Sequence, residues 1–175
     1  MIARQPRLVP PIGVSVDSAG CEGDDLVVCA AVQVRVGADE DWSPLVKRAV
    51  ASGWVGIEAL AGVGGCVADA TRDNASVYGQ SVGDTVVSVR TWDRATDSQR
   101  TFPMSECEFG PGRSRFQDLL VDGSLRFELL DVAFLFKQGD LTGQVRDAAL
   151  ARALGIEIGQ RATLTAVADV ARRSL

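Results

Sequence analysis

Hydrophobic and polar residues alternate most clearly in three segments of the chain. The segments VVSVRTWD (86–93) and QRTFP (99–103) flank the polar stretch RATDS, a pattern that predicts a β-hairpin. LRFELLDVAFLFK (125–137) alternates in its first half and is apolar in its second, which predicts a long strand. A further strand is predicted over LVVCAAVQVRV (26–36), because its second half alternates valine with polar residues.

A helix is predicted directly after that strand. Ser43 is a favourable N-cap, and Pro44 suits the first helical position because proline lacks the N–H that this position leaves unpaired. This helix should run to about Ser52 and end at Gly53. The glycine-rich stretch 53–79 is too irregular for one element and predicts a short helix with a folded-over loop.

Two helices are predicted near the C-terminus, over 145–154 and 163–173, the second of them opening at Thr163. Strands first and helices last, with hairpin-length links, indicate an α+β fold with a largely antiparallel sheet and flanking helices. The domain organisation predicted is an irregular N-terminal arm over 1–13 and a single domain over 14–175.

The composition of the chain argues against some classes of binding partner. The net charge of −5 and the isoelectric point near 4.8 argue against nucleic acid and anionic membranes. No stretch approaches the roughly 18 apolar residues of a membrane-spanning helix. The N-terminal sequence lacks the apolar core of a signal peptide, so a cytoplasmic protein is expected.

Histidine is absent, which removes serine–histidine and cysteine–histidine catalysis and every metal site built on histidine. Acid–base chemistry would then depend on carboxylates, tyrosine, cysteine or lysine. The four cysteines lack metal-type spacing and are expected to be reduced and mostly structural; they are Cys21, Cys29, Cys66 and Cys107. No metal site is therefore predicted.

Glycines at 62, 64 and 65 could bring backbone N–H groups close to a phosphate. Their spacing matches neither a dinucleotide-binding fingerprint nor a Walker loop, so the spacing alone favours a role in packing or in a turn.

Several motifs follow one another in a distinctive order between residues 56 and 116. They are GIEALAG (56–62), Asn74 with YGQ (78–80), SVR with DR (88–94), and EC, FG and SRF (106–116). This order resembles the UDP-N-acetylenolpyruvoylglucosamine reductases, flavin enzymes that make UDP-N-acetylmuramate for bacterial cell walls. The resemblance extends over about residues 13 to 173 and includes VRDAALARALGI (145–156), which is similar to the family's helix after the long strand.

The resemblance implies the second FAD-binding subdomain of a flavin fold like that of the vanillyl-alcohol oxidases. It also implies that the chain begins partway through the first FAD-binding subdomain, without the strand and turn that hold the pyrophosphate. The family's third domain, with the serine that protonates the substrate and an assisting glutamate, would likewise be missing.

The retained flavin-facing loop departs from the family pattern. Two glycines of that pattern are Ala68 and Ser76 here, which fills space where the backbone could approach the flavin. Asp69 and Asp73 replace an alanine and a glutamine, and so add negative charge beside an anionic cofactor. We therefore expect no cofactor, with FAD as the alternative.

The family's substrate contacts are also changed. The family pattern F-G-Y-R-x-S-x-F-K carries a substrate-binding arginine, but Pro111 and Gly112 stand in place of its tyrosine and arginine. Arg113 lies one position away, where its side chain leaves the backbone in another direction. A substrate-binding tyrosine of the family corresponds to Asp147, so Tyr78 alone remains of the substrate contacts that can be mapped.

Three functions remain open from the sequence. The first prediction is a repurposed, cofactor-independent enzyme of the proton-transfer or cyclisation type, acting in the vacated pocket on a small molecule such as one of secondary metabolism. The alternatives are a non-catalytic binding or regulatory module, and an FAD-dependent reductase completed by a partner chain. The predicted catalytic residues are Tyr78, Asp73 and Asp147. The predicted substrate-binding residues are Glu58, Asp69, Arg72, Asn74, Arg113 and Arg115.

A homodimer is also expected, because the absence of two packed domains would expose apolar surface on the one that remains.

Overall fold

A computed structural model describes residues 13–17 and 31–174, which form an α+β fold with an antiparallel sheet. The strands are β1 Val14–Asp17, β2 Ala31–Gly37, β3 Trp54–Val55, β4 Ser76–Val77, β5 Gln80–Ser81, β6 Val86–Asp93, β7 Ser98–Pro103 and β8 Phe127–Gln138. The helices are α1 Trp42–Ala51, α2 Val67–Arg72, α3 Ala148–Leu154 and α4 Leu164–Ser174. The predicted fold class is confirmed.

Strand β8 lies at the centre of a six-stranded sheet with the order β1-β2-β8-β6-β7, and β3 pairs with the far end of β8. The register places Phe134 opposite Val34 of β2 and Val132 opposite Val89 of β6. Because neighbours cover both edges of β8, its long apolar run is paired throughout and buried except near its end.

Helices α1 and α2 pack on one face of this sheet and close the hydrophobic core. Alternate residues of β2 and β8, including Val34 and Phe134, are fully buried against Trp42 of α1. Phe136 stacks on Trp54 with ring centroids 5.7 Å apart. The burial of these side chains is the main favourable term that holds α1 on the sheet, and α4 packs in turn on α1 and on the short turn at residues 58–60.

The opposite face of the sheet carries an ion-pair cluster. The carboxylate of Asp131 is fully buried and accepts hydrogen bonds from Arg35 at 2.5 Å and from Nε of Arg90 at 2.6 Å. Two flanking guanidinium groups thus compensate the desolvation of this carboxylate.

The predicted hairpin and long strand are observed, and the starts of two helices differ from the prediction. Helix α1 begins at Trp42 with Asp41 as N-cap, and Pro44 lies within its first turn. Asp41 forms a β-bridge with Cys66, which holds its backbone extended, so the helix begins directly after it and not at Ser43.

Helix α3 begins three residues later than predicted, because Asp147 caps its N-terminus. Helix α4 follows Thr163, whose hydroxyl accepts the N–H of Ala166 at 3.2 Å, in agreement with the predicted start.

Some predictions fall outside the described residues. These are the N-terminal arm up to residue 12, the part of the predicted strand over 26–30, and Cys21 and Cys29. Within the described part, Cys66 and Cys107 are free, and burial raises the pKa of the Cys107 thiol to about 12. None of the helices there has the length and apolar character needed to cross a membrane.

Candidate functional site

A cavity of about 410 Å³ opens between the β4–β5 hairpin and the start of α3, and we call it the tyrosine cavity. Its walls combine one aromatic residue with amide, hydroxyl and charged side chains. Its lining residues are Tyr78, Gly79, Gln80, Thr142, Gly143, Gln144, Val145, Arg146, Asp147 and Leu150.

The β4–β5 hairpin places Tyr78 on the wall of this cavity. Val77 pairs with Gln80, so Tyr78 and Gly79 form a two-residue turn in which φ is +51° and +80°. Positive φ at both central residues is typical of a type I′ turn, which follows the twist of the two strands. The half-buried Tyr78 packs against both hydrophobic clusters, and its hydroxyl has no hydrogen-bond partner among the described residues.

Asp147 enters the same cavity as the N-cap of α3. Its Oδ1 atom accepts the backbone N–H groups of Ala149 at 2.9 Å and of Leu150 at 2.8 Å. Within the described ranges, Oδ2 makes no hydrogen bond or ion pair. One oxygen of this carboxylate therefore orients the side chain, and the other is free to act on a ligand.

A buried hydrogen-bond network supports the wall of the tyrosine cavity. Glu58 is fully buried, and its carboxylate accepts hydrogen bonds from the Gly56 N–H and the Gln80 Nε2 at 2.7 Å each, and from the Thr142 hydroxyl. Gln80 in turn accepts the N–H of Ala59 at 2.9 Å. Three chain segments are thus joined through one carboxylate, which orients the two cavity residues Gln80 and Thr142.

The segment at Pro111 and Gly112 is a tight turn. The backbones of Gly110 and Arg113 exchange hydrogen bonds of 3.0 and 3.1 Å, and φ at Gly112 is +65°. Proline followed by glycine with positive φ is typical of a type II turn.

The two arginines of this region differ in their contacts. Arg115 pairs with Glu108 and lies over the ring of Phe102, 5.2 Å from its centroid. Arg113 is exposed, packs its stem over Gly110 and has no ion pair in the described part of the chain. Of the two, only Arg113 keeps its guanidinium available for a ligand.

The remaining predicted residues lie on and after α2. Asp69 accepts a hydrogen bond from the Cys66 thiol at 3.2 Å and pairs with Arg72 at 2.9 Å, and these contacts, the first most of all, hold the pKa of Asp69 below its usual value. Asp73 is exposed and accepts Nε2 of Gln117 at 3.2 Å.

Asn74 is buried and bridges two loops. Its Nδ2 donates to the Gly110 carbonyl at 2.9 Å and its Oδ1 accepts the Gly83 N–H at 2.8 Å.

The predicted site residues therefore do not all lie together in the structure. Tyr78 and Asp147 share the tyrosine cavity, with Glu58 directly behind its wall. Asn74 lines a second cavity, near the Pro111–Gly112 turn. The other predicted residues line neither cavity; they are Asp69, Arg72, Asp73, Arg113 and Arg115. Their predicted roles stay predictions.

Sequence reasoning missed Gln80 and Thr142 as site residues. Gln80 could have been found, because it directly follows Tyr78 and Gly79 in the quoted motif. Thr142 gave no signal, since only the fold brings it to Glu58.

The glycine-rich loop, which the sequence left open as a phosphate site, does not fit a phosphate. The N–H groups at the start of α2 are already used: Cys66 donates to Asp69, Val67 to the Glu40 carbonyl, and Ala68 to the Ala38 carbonyl. The Asp69 carboxylate also lies beside Gly65, 3.1 Å from the position that a Cβ would take. A phosphate would meet a carboxylate there, with few donors left to bind it.

Comparison with known proteins gives the following matches. The chain is 38% identical over 141 residues to the UDP-N-acetylenolpyruvoylglucosamine reductase of Cutibacterium acnes, covering 81% of this chain and 36% of that protein. The corresponding reductase of Thermobifida fusca is 37% identical over 155 residues, covering 89% and 41%. No protein-family model matches the chain.

A solved structure agrees with these relatives at the level of the fold. The UDP-N-acetylenolpyruvylglucosamine reductase of Thermus caldophilus superposes with a TM-score of 0.50 at 24% identity, over 59% of this chain and 36% of that one. The chain spans about two fifths of the length of the curated relatives it matches. The identity along most of its own length confirms the resemblance, and the chain is a divergent homologue of one part of the UDP-N-acetylenolpyruvoylglucosamine reductases.

Proposed function

We propose that this chain is a flavin-independent enzyme that binds a small molecule in the tyrosine cavity and catalyses a proton transfer. The observation that carries the proposal is the arrangement of Tyr78 and Asp147 on one cavity, each with a polar atom that has no partner among the described residues. The occupied N–H groups at the start of α2 support independence from flavin.

The cavity suits an isomerisation of the keto–enol type. Oδ2 of Asp147 would remove a proton from a carbon beside a carbonyl, while the Tyr78 hydroxyl would donate a proton to the carbonyl oxygen. One proton leaves the ligand and one enters it, so its composition does not change. Return of the Asp147 proton to Tyr78 through solvent would complete the cycle.

The network behind the cavity would position the ligand. Gln80 and Thr142 are oriented by Glu58 and Ala59, so the second Nε2 hydrogen of Gln80 and the lone pairs of the Thr142 hydroxyl are held in fixed directions for a bound molecule. The proposal includes a cytoplasmic setting, which stays a prediction.

The first experiment is an absorbance spectrum of the purified protein and of the supernatant after heat release, followed by titration with FAD. We expect a colourless protein that does not take up FAD. Near-stoichiometric flavin would overturn flavin independence.

That result would support the second candidate, a reductase of the family's type completed by another chain. The observation that favours this candidate is the 37–38% identity to the two reductases.

Proton transfer can be tested before a substrate is known. The protein is incubated in deuterated water with a bacterial small-molecule extract, and deuterium uptake is followed by mass spectrometry. We expect at least one compound to gain deuterium with the wild-type protein and not with Tyr78→Phe or Asp147→Asn. Asparagine is chosen because it keeps the α3 cap while removing the carboxylate.

Asp73→Asn serves two purposes in the same assay. Asp73 does not line the tyrosine cavity, so the proposal expects unchanged uptake from this variant; lost uptake would restore its predicted catalytic role. Equal uptake by the wild type and by both cavity variants would contradict the roles of Tyr78 and Asp147, and no uptake with any of the proteins would contradict the proposal and favour a non-catalytic binding module.

A further inference from the structure

A second cavity, of about 650 Å³, lies beside the Pro111–Gly112 turn, and we call it the turn cavity. Phe109, Met104 and Pro111 give it apolar walls. Its single charged lining residue is Asp84, whose Oδ2 already accepts the Ser81 N–H at 2.8 Å. No cation belongs to this lining, so the turn cavity suits an uncharged apolar or aromatic group.

The turn cavity and the tyrosine cavity meet at Gly79, which lines both. A Cβ at Gly79 would have no heavy atom within 4 Å, and the residue itself has no side chain to divide the two spaces. A single ligand could therefore extend past this residue from one cavity into the other.

A third cavity, of about 370 Å³, lies at the end of β8, and we call it the lysine cavity. It shares Thr142 and Gly143 with the tyrosine cavity, and a Cβ at Gly143 would also find open space. Lys137 and Arg161 line it together with one acid, Asp140.

The charge of the linked cavities changes along their length. Neither Lys137 nor Arg161 has an ion pair within the described ranges, so the lysine cavity carries an excess of positive charge. At the other end, the turn cavity holds a single acid and no cation. Adjacent unpaired cations in a concave site favour an anionic ligand group.

We propose that the three cavities form one groove for an elongated small molecule, with an apolar or aromatic end in the turn cavity and an anionic end beside Lys137 and Arg161. The anionic group would be a carboxylate or a phosphate. The inference rests on the proposed function, because the reacting centre of such a ligand would lie between Tyr78 and Asp147 in the middle of the groove.

Matched probes test the charge preference. We would titrate the protein with 6-phenylhexanoate and with 6-phenylhexanamide, which differ mainly in charge, and follow both by calorimetry and by backbone amide chemical shifts. We expect the carboxylate to bind on the order of tenfold more tightly than the amide, with the preference falling as salt rises. Both probes should shift the amides of Gly112 and Gly79, and the carboxylate should also shift that of Gly143.

Charge variants test whether Lys137 and Arg161 cause the preference for the carboxylate probe. The double variant Lys137→Gln/Arg161→Gln should bind the carboxylate as weakly as the amide while its affinity for the amide is unchanged. The matched control is Lys47→Gln/Arg152→Gln, since both residues are exposed and line none of the three cavities. This control should keep the preference for the carboxylate.

The outcomes separate the two proposals. Equal affinities for the two probes, with shifts at Gly79 and Asp147, would overturn the groove inference and leave the tyrosine cavity as the site. A preference for the carboxylate that survives the double variant would also overturn it. No shift at any groove residue at millimolar probe would overturn the inference and count against the proposed site as well.

Discussion

Asp93, at the end of β6, is held by two arginines. Its buried carboxylate accepts Nε of Arg126 at 2.9 Å and a second guanidinium nitrogen at 2.8 Å, and Arg100 lies 3.7 Å away. These contacts, led by the hydrogen bonds from Arg126, lower the pKa of Asp93 to about 2. The charged form is favoured in the folded state more than in the unfolded one.

Replacing Asp93 with Asn should make folding stability less sensitive to acid. Because the folded-state pKa is depressed, the stabilisation is present above about pH 4 and is lost as the pH falls toward 2. At neutral pH we expect the variant to be less stable by about 2 kcal/mol, with the difference from wild type shrinking between pH 4 and pH 2. Urea unfolding at several pH values measures this. A difference that stays constant over that range would contradict the role assigned to Asp93.

Glu58→Gln tests whether the buried network depends on a carboxylate. Three donors converge on its two oxygens, and a glutamine places an NH₂ group where one oxygen accepts. One buried donor then loses its acceptor, so we expect a loss of about 2 kcal/mol in the free energy of unfolding. Glu157→Gln is the matched control, because Glu157 is exposed. Equal stability of the two variants would show that the network contributes little.

The Gly110–Arg113 turn depends on a backbone conformation that favours glycine. At Gly112 the positive φ would strain any residue with a Cβ, although no neighbouring atom blocks the space. Gly112→Ala should therefore lower the free energy of unfolding by about 1 kcal/mol. Gly64→Ala is the control, since it also has open space but no positive φ, and it should change stability little. Thermal unfolding compares the two, and equal effects would contradict strain at Gly112.

The strands and helices show which elements local sequence can predict. The hairpin of β6 and β7 was predicted closely, because alternation and a polar turn are local signals. The edge strand β1 was missed, since four residues carry little pattern and its described partner is β2. The start of α1 was wrong because a tertiary bridge to Cys66 overrode the preference of Ser43 for the N-cap position.

The candidate site, too, could be predicted from local sequence only in part. Tyr78 and Asp147 lie in segments whose motifs resemble the family, so their sharing of one cavity could be anticipated. The hydrogen bond from the Thr142 hydroxyl to the Glu58 carboxylate joins residues 84 positions apart, and no local sequence pattern predicts it.

For the whole molecule, the predicted homodimer can be measured directly. Leu119 and Val121 are exposed apolar residues close together in sequence, and covering them would remove apolar surface from water. Light scattering at micromolar concentration should then give twice the chain mass of 18.5 kDa. We predict that Leu119→Ser/Val121→Ser is monomeric and that Ile158→Ser keeps the dimer mass. A monomeric wild type would contradict the prediction.

The central position of β8 has a consequence for how the chain folds during synthesis. The pairing of Val34 with Phe134 joins residues about a hundred positions apart, and β6 also pairs with β8. Until the ribosome has released residue 138, β2 and β6 each expose an unpaired edge on the side that β8 will fill. Contacts so distant in sequence slow folding, and such edges are prone to aggregate. Pausing in translation before β8 should therefore lower the yield of native protein more than pausing after it.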